Sequence, residues 1–338
     1  MDRTKKIKME LTILIPTYNR KKLLDVTLKH LIGRLNKFPK FEFEIIVSDN
    51  ASIESPEDVI DNLRNPRISY IENQKNIGIS RNILNAAKLA KGKYLWIFGD
   101  DDLVDSKVMY SIVNLIKAGE DFGILQIARK NFIKEEDINW CLKEVNIDSH
   151  KMQLTKNLEK IDSGFGFISS NILLREKFNL VTKKIVSRDV SLIDNNYLVK
   201  LINYEIYKIS KNNLIINDEL IYQRVTEASS FYKTPELIFK TFFKDVSDII
   251  HYHKIYNPEF LFTKKIYYKR NLDILIIRMF HPSSFIRLLN IFSYTGSVYI
   301  KFYVLFLLLT PKFLVRKLYL FYKKLKGQEV PFIFKIND

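Results

Sequence analysis

Three consecutive carboxylates, Asp100-Asp101-Asp102, follow Gly99 at the end of the apolar run Tyr94–Phe98. Like charges this close repel, and a carboxyl pKa rises unless a cation sits among them. A hard divalent ion such as Mg²⁺ or Mn²⁺ relieves that repulsion, binding through one or two carboxylates plus substrate phosphates. The plainer alternative is an acidic turn whose Asp102 caps the next helix. Asp49 closes another apolar run, Ile45-Ile46-Val47. A carboxylate there can accept from a ribose hydroxyl or a base N–H. In Asp49-Asn50-Ala51-Ser52 it can equally form an Asx turn or a helix N-cap. Arg81 and Asn82 follow a loop holding Gly78. An arginine so placed suits diphosphate recognition, or is a solvated residue at a helix start. Arg224, in Ile221-Tyr222-Gln223-Arg224, is open to the same two readings.

These residues need elements to position them. Leu11–Ile15 is a short β-prone run that stops at Pro16, before the polar loop Thr17-Tyr18-Asn19-Arg20. From Lys22 to Leu35, Leu24, Leu28, Leu31 and Leu35 recur at helical spacing. Phe43–Val47 reads as a second strand and Pro56–Leu63 as a helix with proline near its start. Ile68–Glu72 reads as a third strand, Ile79–Ala90 as a helix with Gly92 as its C-cap glycine, and Tyr94–Phe98 as a fourth strand. Strand, loop and helix in repetition imply right-handed crossovers and a mostly parallel sheet. Ligands bind such sheets beyond the carboxyl ends of the strands. The polar clusters 16–20, 48–52, 73–78 and 99–102 then converge on one edge. Further along, Phe122–Ala128 and Phe165–Leu174 read as strands and Val190–Asn203 as a helix.

The run from Leu11 through Pro16 to Arg20 resembles the opening strand and loop of family 2 glycosyltransferases. Glu44 to Ser52 resembles their second strand, whose aspartate contacts the nucleoside. Asn76-Ile77-Gly78-Ile79-Ser80-Arg81-Asn82 is similar to their asparagine–glycine loop with its Arg-Asn pair, and Trp96 to Asp102 resembles their metal-binding strand end. Gly99 stands where that family usually has an aspartate. The matches cover residues 9–110, with weaker ones to about 230.

The resemblance implies an α/β fold of the GT-A type, a mostly parallel sheet flanked by helices in a single Rossmann-like nucleotide-binding domain, with a helical basic C-terminal extension. Its boundaries are 1–232 for the catalytic domain, with a donor half at about 9–110 and an acceptor half at about 111–232, and 233–338 for the extension. The implied chemistry is inverting transfer from a nucleoside-diphosphate sugar, UDP-linked by preference, to a glycan or lipid-linked acceptor. Donor contacts fall on Pro16, Thr17, Tyr18, Asn19, Arg20, Asp49, Asn76, Gly78, Arg81, Asp100, Asp101 and Arg224. Asp102, with Asp101, is the expected ligand of Mn²⁺ or Mg²⁺. The family's general base often lies in an acidic pair just before a helix. Here Ile193 fills the first place and Asp194 the second, so Asp194 is the expected base and Asp189 its rival. Tyr222-Gln223-Arg224-Val225-Thr226 resembles a late Tyr-x-Arg element, with Thr226 where the family often has histidine.

Composition narrows the alternatives. A net charge of +16 over 338 residues favours anionic partners. The single cysteine, Cys141, excludes an intramolecular disulfide and a Cys-based zinc site. The N-terminal residues lack a signal-peptide h-region, which reads as a protein that is not secreted. After Pro311, Leu314, Leu318, Phe321 and Leu325 recur at helical spacing, with Lys312, Arg316, Lys323 and Lys324 mostly off that stripe. That pattern suits an interfacial helix on anionic lipid, or a core helix with solvated lysines. The apolar run Tyr303–Leu309 is too short for a bilayer span of ~20 residues. The expected location is cytoplasmic, peripheral on the inner face of the cell membrane, in surface-polysaccharide synthesis. No nucleic-acid-binding motif accompanies the aromatic and basic residues. His251 and His253, two apart, would not face each other on a helix. A sugar nucleotidyltransferase would carry a Gly-rich loop after the first strand, which Pro16 to Arg20 lacks. The remaining alternative is a catalytically inactive scaffold of the same fold.

Overall fold

In the computed structural model the described residues are 9–132, 154–155, 165–224, 245–256 and 298–325. The chain divides into two compact units, residues 1–225 and 226–338.

The first unit is built on one sheet. Its first half comprises β1 (Leu11–Thr17), β2 (Phe43–Asp49), β3 (Ile68–Glu72) and β4 (Tyr94–Ile97). These lie in the order β3-β2-β1-β4, all parallel. Every residue of β1 is buried, as it must be in a strand covered on both faces. The register sets Thr17 beside Asp49 and Asp49 beside Glu72, so the strands end in step. The crossovers are α1 (Lys21–Leu35), α2 (Glu57–Leu63) and α3 (Ile79–Ala87). α1 buries Leu24, Leu28, Leu31 and Leu35, the stripe its spacing predicts.

The second half is mixed. β5 (Leu103–Val104), α4 (Ser106–Lys117), β6 (Ile124–Phe132), β7 (Leu154–Thr155), β8 (Asn171–Leu174), α5 (Arg175–Arg188), α6 (Leu198–Ile209) and β9 (Leu214–Arg224) complete the unit. β8 runs antiparallel to both β4 and β6, while β6 and β9 are parallel to each other. Two reversals restore the original direction. The carboxyl end of β9 therefore returns to the edge where β1, β2 and β4 end. β5 pairs with β9, matching Leu103 to Tyr222, and carries the acidic trio to Arg224.

Several local expectations are corrected. Gly92 caps no helix: α3 ends at Ala87 with Lys88 in ordinary right-handed geometry. Its role is close approach, because a Cβ there would lie 2.4 Å from the Thr12 backbone nitrogen. The Gly92 N–H donates to Thr12 Oγ1 at 2.8 Å, tying the start of β4 to β1. Gly92→Ala is expected to destabilise the fold by about 2 kcal/mol through overpacking, read as a lower urea midpoint with an unchanged slope.

Phe165–Leu174 is not one strand. A 3-10 turn at Ile168–Ser170 precedes β8, and Asn171 Nδ2 donates to the Phe167 carbonyl at 2.7 Å. Such a local bond competes with extended pairing. Val190–Asn203 is likewise split, into a 3-10 turn at Val190–Asp194 and then α6. Asp189 caps the first piece by accepting from Ser191 N–H, and Asn195 Oδ1 accepts from Tyr197 N–H before the second. α5 fills a stretch that periodicity left unassigned. It buries only Phe178, Val181 and Ile185 among many charges, which weakens its stripe.

In the second unit, α7 (Val246–Tyr256), α8 (Val298–Leu309) and α9 (Lys312–Leu325) are described. On α7, His253 is buried and His251 is exposed, as a separation of two residues on a helix requires.

Candidate active site

The acidic trio sits where β4 ends, and all three carboxylates are buried, at 4%, 7% and 2% exposure for Asp100, Asp101 and Asp102. It does not cap the following helix: Asp105 does, accepting from Lys107 N–H at 2.7 Å. Asp100 takes Thr17 Oγ1 at 2.7 Å and the Arg20 guanidinium at 2.9 Å. Arg20 also reaches Asp101 at 3.2 Å. Asp102 accepts from Ser169 Oγ on one oxygen and, at 3.4 Å, from Arg224 N–H on the other. Thr27 Oγ1 on α1 donates to the carbonyls of Asp100 and Asp102 at 3.0 and 3.3 Å, fixing the turn from beneath.

Charge compensation is incomplete. Burial and repulsion from Asp100 push the Asp101 carboxyl up to about 6, against the pull of Arg20 and Arg224. Burial and Asp101 raise Asp102 well above the usual range, although the Ser169 hydroxyl opposes the shift. Burial raises Asp100 as well, with Arg20 opposing. For Arg20 the balance tips the other way: burial works against its charge, but Asp100, Asp101 and Asp102 outweigh it and raise its pKa. Each carboxyl of the trio is thus held above the ordinary carboxylate range, with burial the first cause.

The neighbouring strand ends form a polar rim. Asp49 makes the Asx turn, accepting from Ser52 N–H and Oγ, and also from Tyr70 OH at 3.1 Å. Asn19 adopts φ 55° and clamps that turn, its N–H donating to Ser52 Oγ and its Oδ1 accepting from Ile53 N–H, both at 2.8 Å. Tyr18 is 43% exposed beside it. Asn76 accepts from Asn50 Nδ2 at 2.9 Å and from Gly78 N–H at 3.0 Å. Asn73 and Ser48 both donate to Asn82 Oδ1, at 2.7 and 2.6 Å, closing a network that joins β2, β3 and the start of α3. Gly78, at φ 83°, gives the chain its entry to that helix in a conformation that favours glycine.

Arg81 and Asp194, expected in separate roles, meet in a two-pronged ion pair whose longer bond is 2.9 Å. Ser80 Oγ donates to the Asn195 carbonyl at 2.7 Å, so α3 holds the segment that carries Asp194. Asp189 accepts from Ser191 N–H and Oγ and serves as a cap. Arg224 is 4% exposed, and its Nε donates to the Asp101 carbonyl at 3.3 Å. Thr226 lies outside the described residues.

Residues that sequence reasoning missed include Ser169, which accepts from Gly99 N–H at 2.8 Å while donating to Asp102. Trp96 Nε1 secures the same turn through the Ser169 carbonyl at 2.7 Å. Arg129 on β6 was also missed. Its guanidinium lies 5.0 Å from the centre of the Phe167 ring. Partial burial lowers its pKa, with Asp102 opposing. A lone serine or arginine in a strand region carries no local signal of its partner.

The chain is similar in sequence and in fold to known proteins. Over 206 residues the chain is 30% identical to the abequosyltransferase RfbV of Salmonella typhimurium, covering 56% of this chain and 58% of RfbV. It is 28% identical over 213 residues to WfaP of Escherichia coli, the UDP-Glc:alpha-D-GlcNAc-diphosphoundecaprenol beta-1,3-glucosyltransferase, covering 56% of this chain and 78% of WfaP. The solved structure of the mannosyltransferase PcManGT of Pyrobaculum calidifontis, in complex with GDP-Man and Mn²⁺, superposes with a TM-score of 0.51 at 14% identity, covering 88% of this chain and 78% of that one. That likeness concerns the fold. The sequence profile described as glycosyl transferase family 2 matches residues 12–180, half of the chain, from β1 past the acidic trio and into α5. The chain spans a little over half the length of RfbV; on the profile match and the sheet edge it spans, it belongs to glycosyl transferase family 2 and has the GT-A fold.

Proposed function

We propose that the chain transfers a sugar, with inversion, from a nucleoside-diphosphate sugar to a hydroxyl of a glycan or lipid-linked acceptor in bacterial surface-glycan synthesis. UDP is the preferred carrier, in keeping with the donor named for WfaP. The observation that carries this reading is the buried, under-compensated trio at the sheet's carboxyl edge. The nucleoside rests along the Pro16–Arg20 loop and Asp49, and Asn76 and Gly78 shape the loop beside it. Arg20, Arg81 and Arg224 supply positive charge near the diphosphate.

A divalent cation fits this donor set: hard carboxylate oxygens, buried, whose affinity for protons stays raised although Arg20 and Arg224 oppose it. Among the described residues no three His, Cys, Asp or Glu side chains form a ready-made cage, and a site completed by substrate phosphates needs none. Asp102 and Asp101 would hold the ion, Mn²⁺ or Mg²⁺, and when bound it supplies positive charge to the departing diphosphate. Thr27 and Ser169 keep the turn rigid so that the carboxylates need no rearrangement.

In the transfer, the acceptor oxygen bonds to the anomeric carbon while the bond from that carbon to the diphosphate oxygen breaks. The bonding pair leaves with the diphosphate. The acceptor proton passes to Asp194. Before donor binding, Arg81 neutralises Asp194 through the paired contact. A diphosphate that recruits Arg81 releases Asp194 from that ion pair, and the carboxylate can then accept the proton. The reading extends to place: a peripheral enzyme on the inner face of the cell membrane, supported by the diphosphoundecaprenol acceptor named for WfaP and by the basic second unit.

The test is a thermal-shift screen of UDP, GDP, CDP and dTDP with and without Mn²⁺. A ligand at a hundred times its Kd stabilises by about 2.7 kcal/mol, or roughly 5–10 °C for a unit of this size. The expected result is a shift that needs both nucleotide and Mn²⁺ and is lost in Asp102→Ala. No shift with any nucleotide sinks the reading. A shift without donor-dependent release of nucleoside diphosphate, across a panel of acceptors, identifies an inactive scaffold instead.

A further inference from the structure

We infer that α8 and α9 together form a lipid-docking face, seated in the interface of a membrane rich in anionic lipid. The inference deepens the peripheral reading above and rests on it for location, but its evidence lies within these two helices. α8 is nearly all apolar, with Lys301 its only charge. At 12 residues it is about 18 Å long, short of the ~30 Å hydrocarbon core. Among the described residues no helix is long and apolar enough to cross a membrane. An apolar helix of that length must be covered by protein or lie along an interface.

The exposures show which. α8 buries Val304 and Leu307, and α9 buries Val315 and Tyr319. Their other sides stay open. Phe302, Phe306 and Leu309 on α8 are 69%, 57% and 77% exposed, and Phe313, Leu318 and Phe321 on α9 are 66%, 51% and 62% exposed. Positions 302, 306 and 309 share one helical face, as do 314, 318 and 321. The stripe expected to be either interfacial or core is therefore exposed at Leu314, Leu318 and Phe321, while Val315 and Tyr319 turn inward. Between the helices, Thr310 returns its N–H and hydroxyl to the Phe306 carbonyl, and Pro311 lets α9 begin afresh.

The charge identifies the occupant. Residues 298–325 contain Lys301, Lys312, Arg316, Lys317, Lys323 and Lys324 and no aspartate or glutamate. Two copies meeting through this face would bring two such sets of cations together. An anionic membrane accepts the aromatic and aliphatic side chains into its acyl boundary and pairs the cations with headgroups.

Flotation of the full chain with vesicles tests this, using phosphatidylcholine alone or mixed with phosphatidylglycerol. The wild type is expected to float with the mixed vesicles only, and less at high salt. Phe306→Glu with Leu309→Glu is expected to abolish flotation. Lys312→Gln with Lys317→Gln is expected to weaken it by about thirtyfold. None of the four residues is among those assigned to the nucleotide site, so the nucleotide-dependent thermal shift should persist in both variants, and an unchanged helical circular-dichroism signal reports their folding. Unchanged flotation of both double variants overturns the inference. So does a concentration-dependent dimer that Phe306→Glu with Leu309→Glu dissolves in light scattering. Failure of the nucleotide shift with intact flotation overturns the transfer reading and leaves the docking face standing.

Discussion

Asp101→Asn is expected to lower turnover about a hundred- to a thousandfold while making the metal-free chain more stable at neutral pH. Asp101 is 7% exposed and its carboxyl is pushed up to about 6 by burial and by Asp100. The unfolded value is near 3.8. The folded chain therefore holds this proton more tightly than the unfolded chain. Stability from this group is present below about pH 4 and is lost as pH rises through about 6. At pH 7 the buried charge costs on the order of 3 kcal/mol, and an amide of the same shape removes that cost. His30 works in the opposite sense. Burial lowers it to about 4 from 6.5, with Arg34 adding to the shift and the Val104 carbonyl opposing it. Its contribution is complete above pH 6.5 and is lost as pH falls through 4. In the wild type the two slopes oppose each other. In Asp101→Asn the His30 slope remains, so the stability difference between variant and wild type should widen from pH 4 to pH 7. Thermal melts in chelator across that range measure it. A variant less stable than wild type at pH 7 would show that the trio carries no unrelieved repulsion.

Asp194→Asn is expected to reduce kcat by about 10²–10⁴-fold with little change in donor KM, whereas Asp189→Asn leaves turnover near wild type. Asp194 presents a carboxylate that is 59% exposed and ion-paired with Arg81. Asp189 spends one oxygen on Ser191 N–H and Oγ, and asparagine caps a helix about as well as aspartate. Arg81→Gln should instead raise donor KM, since a neutral side chain cannot pair with a diphosphate. Steady-state kinetics with donor varied separate these outcomes. Loss of turnover in Asp189→Asn with Asp194→Asn active would exchange the two roles.

Strand ends, helix stripes and their order are local properties, and periodicity alone placed β1 to β4 and α1. Because a parallel βαβ unit admits one handedness, those elements also implied the edge on which the polar clusters meet. The acidic trio was therefore legible as a candidate site before any contact was known. What only the tertiary structure decided lies in contacts far apart along the chain. Ser169 reaches Asp102 from 67 residues away, Arg81 meets Asp194 across 113, and Arg224 meets Asp101 across 123. No spacing rule carries such distances: Ser169 arrives because β8 pairs with β4, and Arg224 because the reversals at β8 bring β9 back to the first edge. Likewise Gly92 is needed for a close approach to Thr12 that its own neighbours do not reveal. On α9 the apolar pattern was legible, but which side of it faces outward depended on where Val315 and Tyr319 find cover.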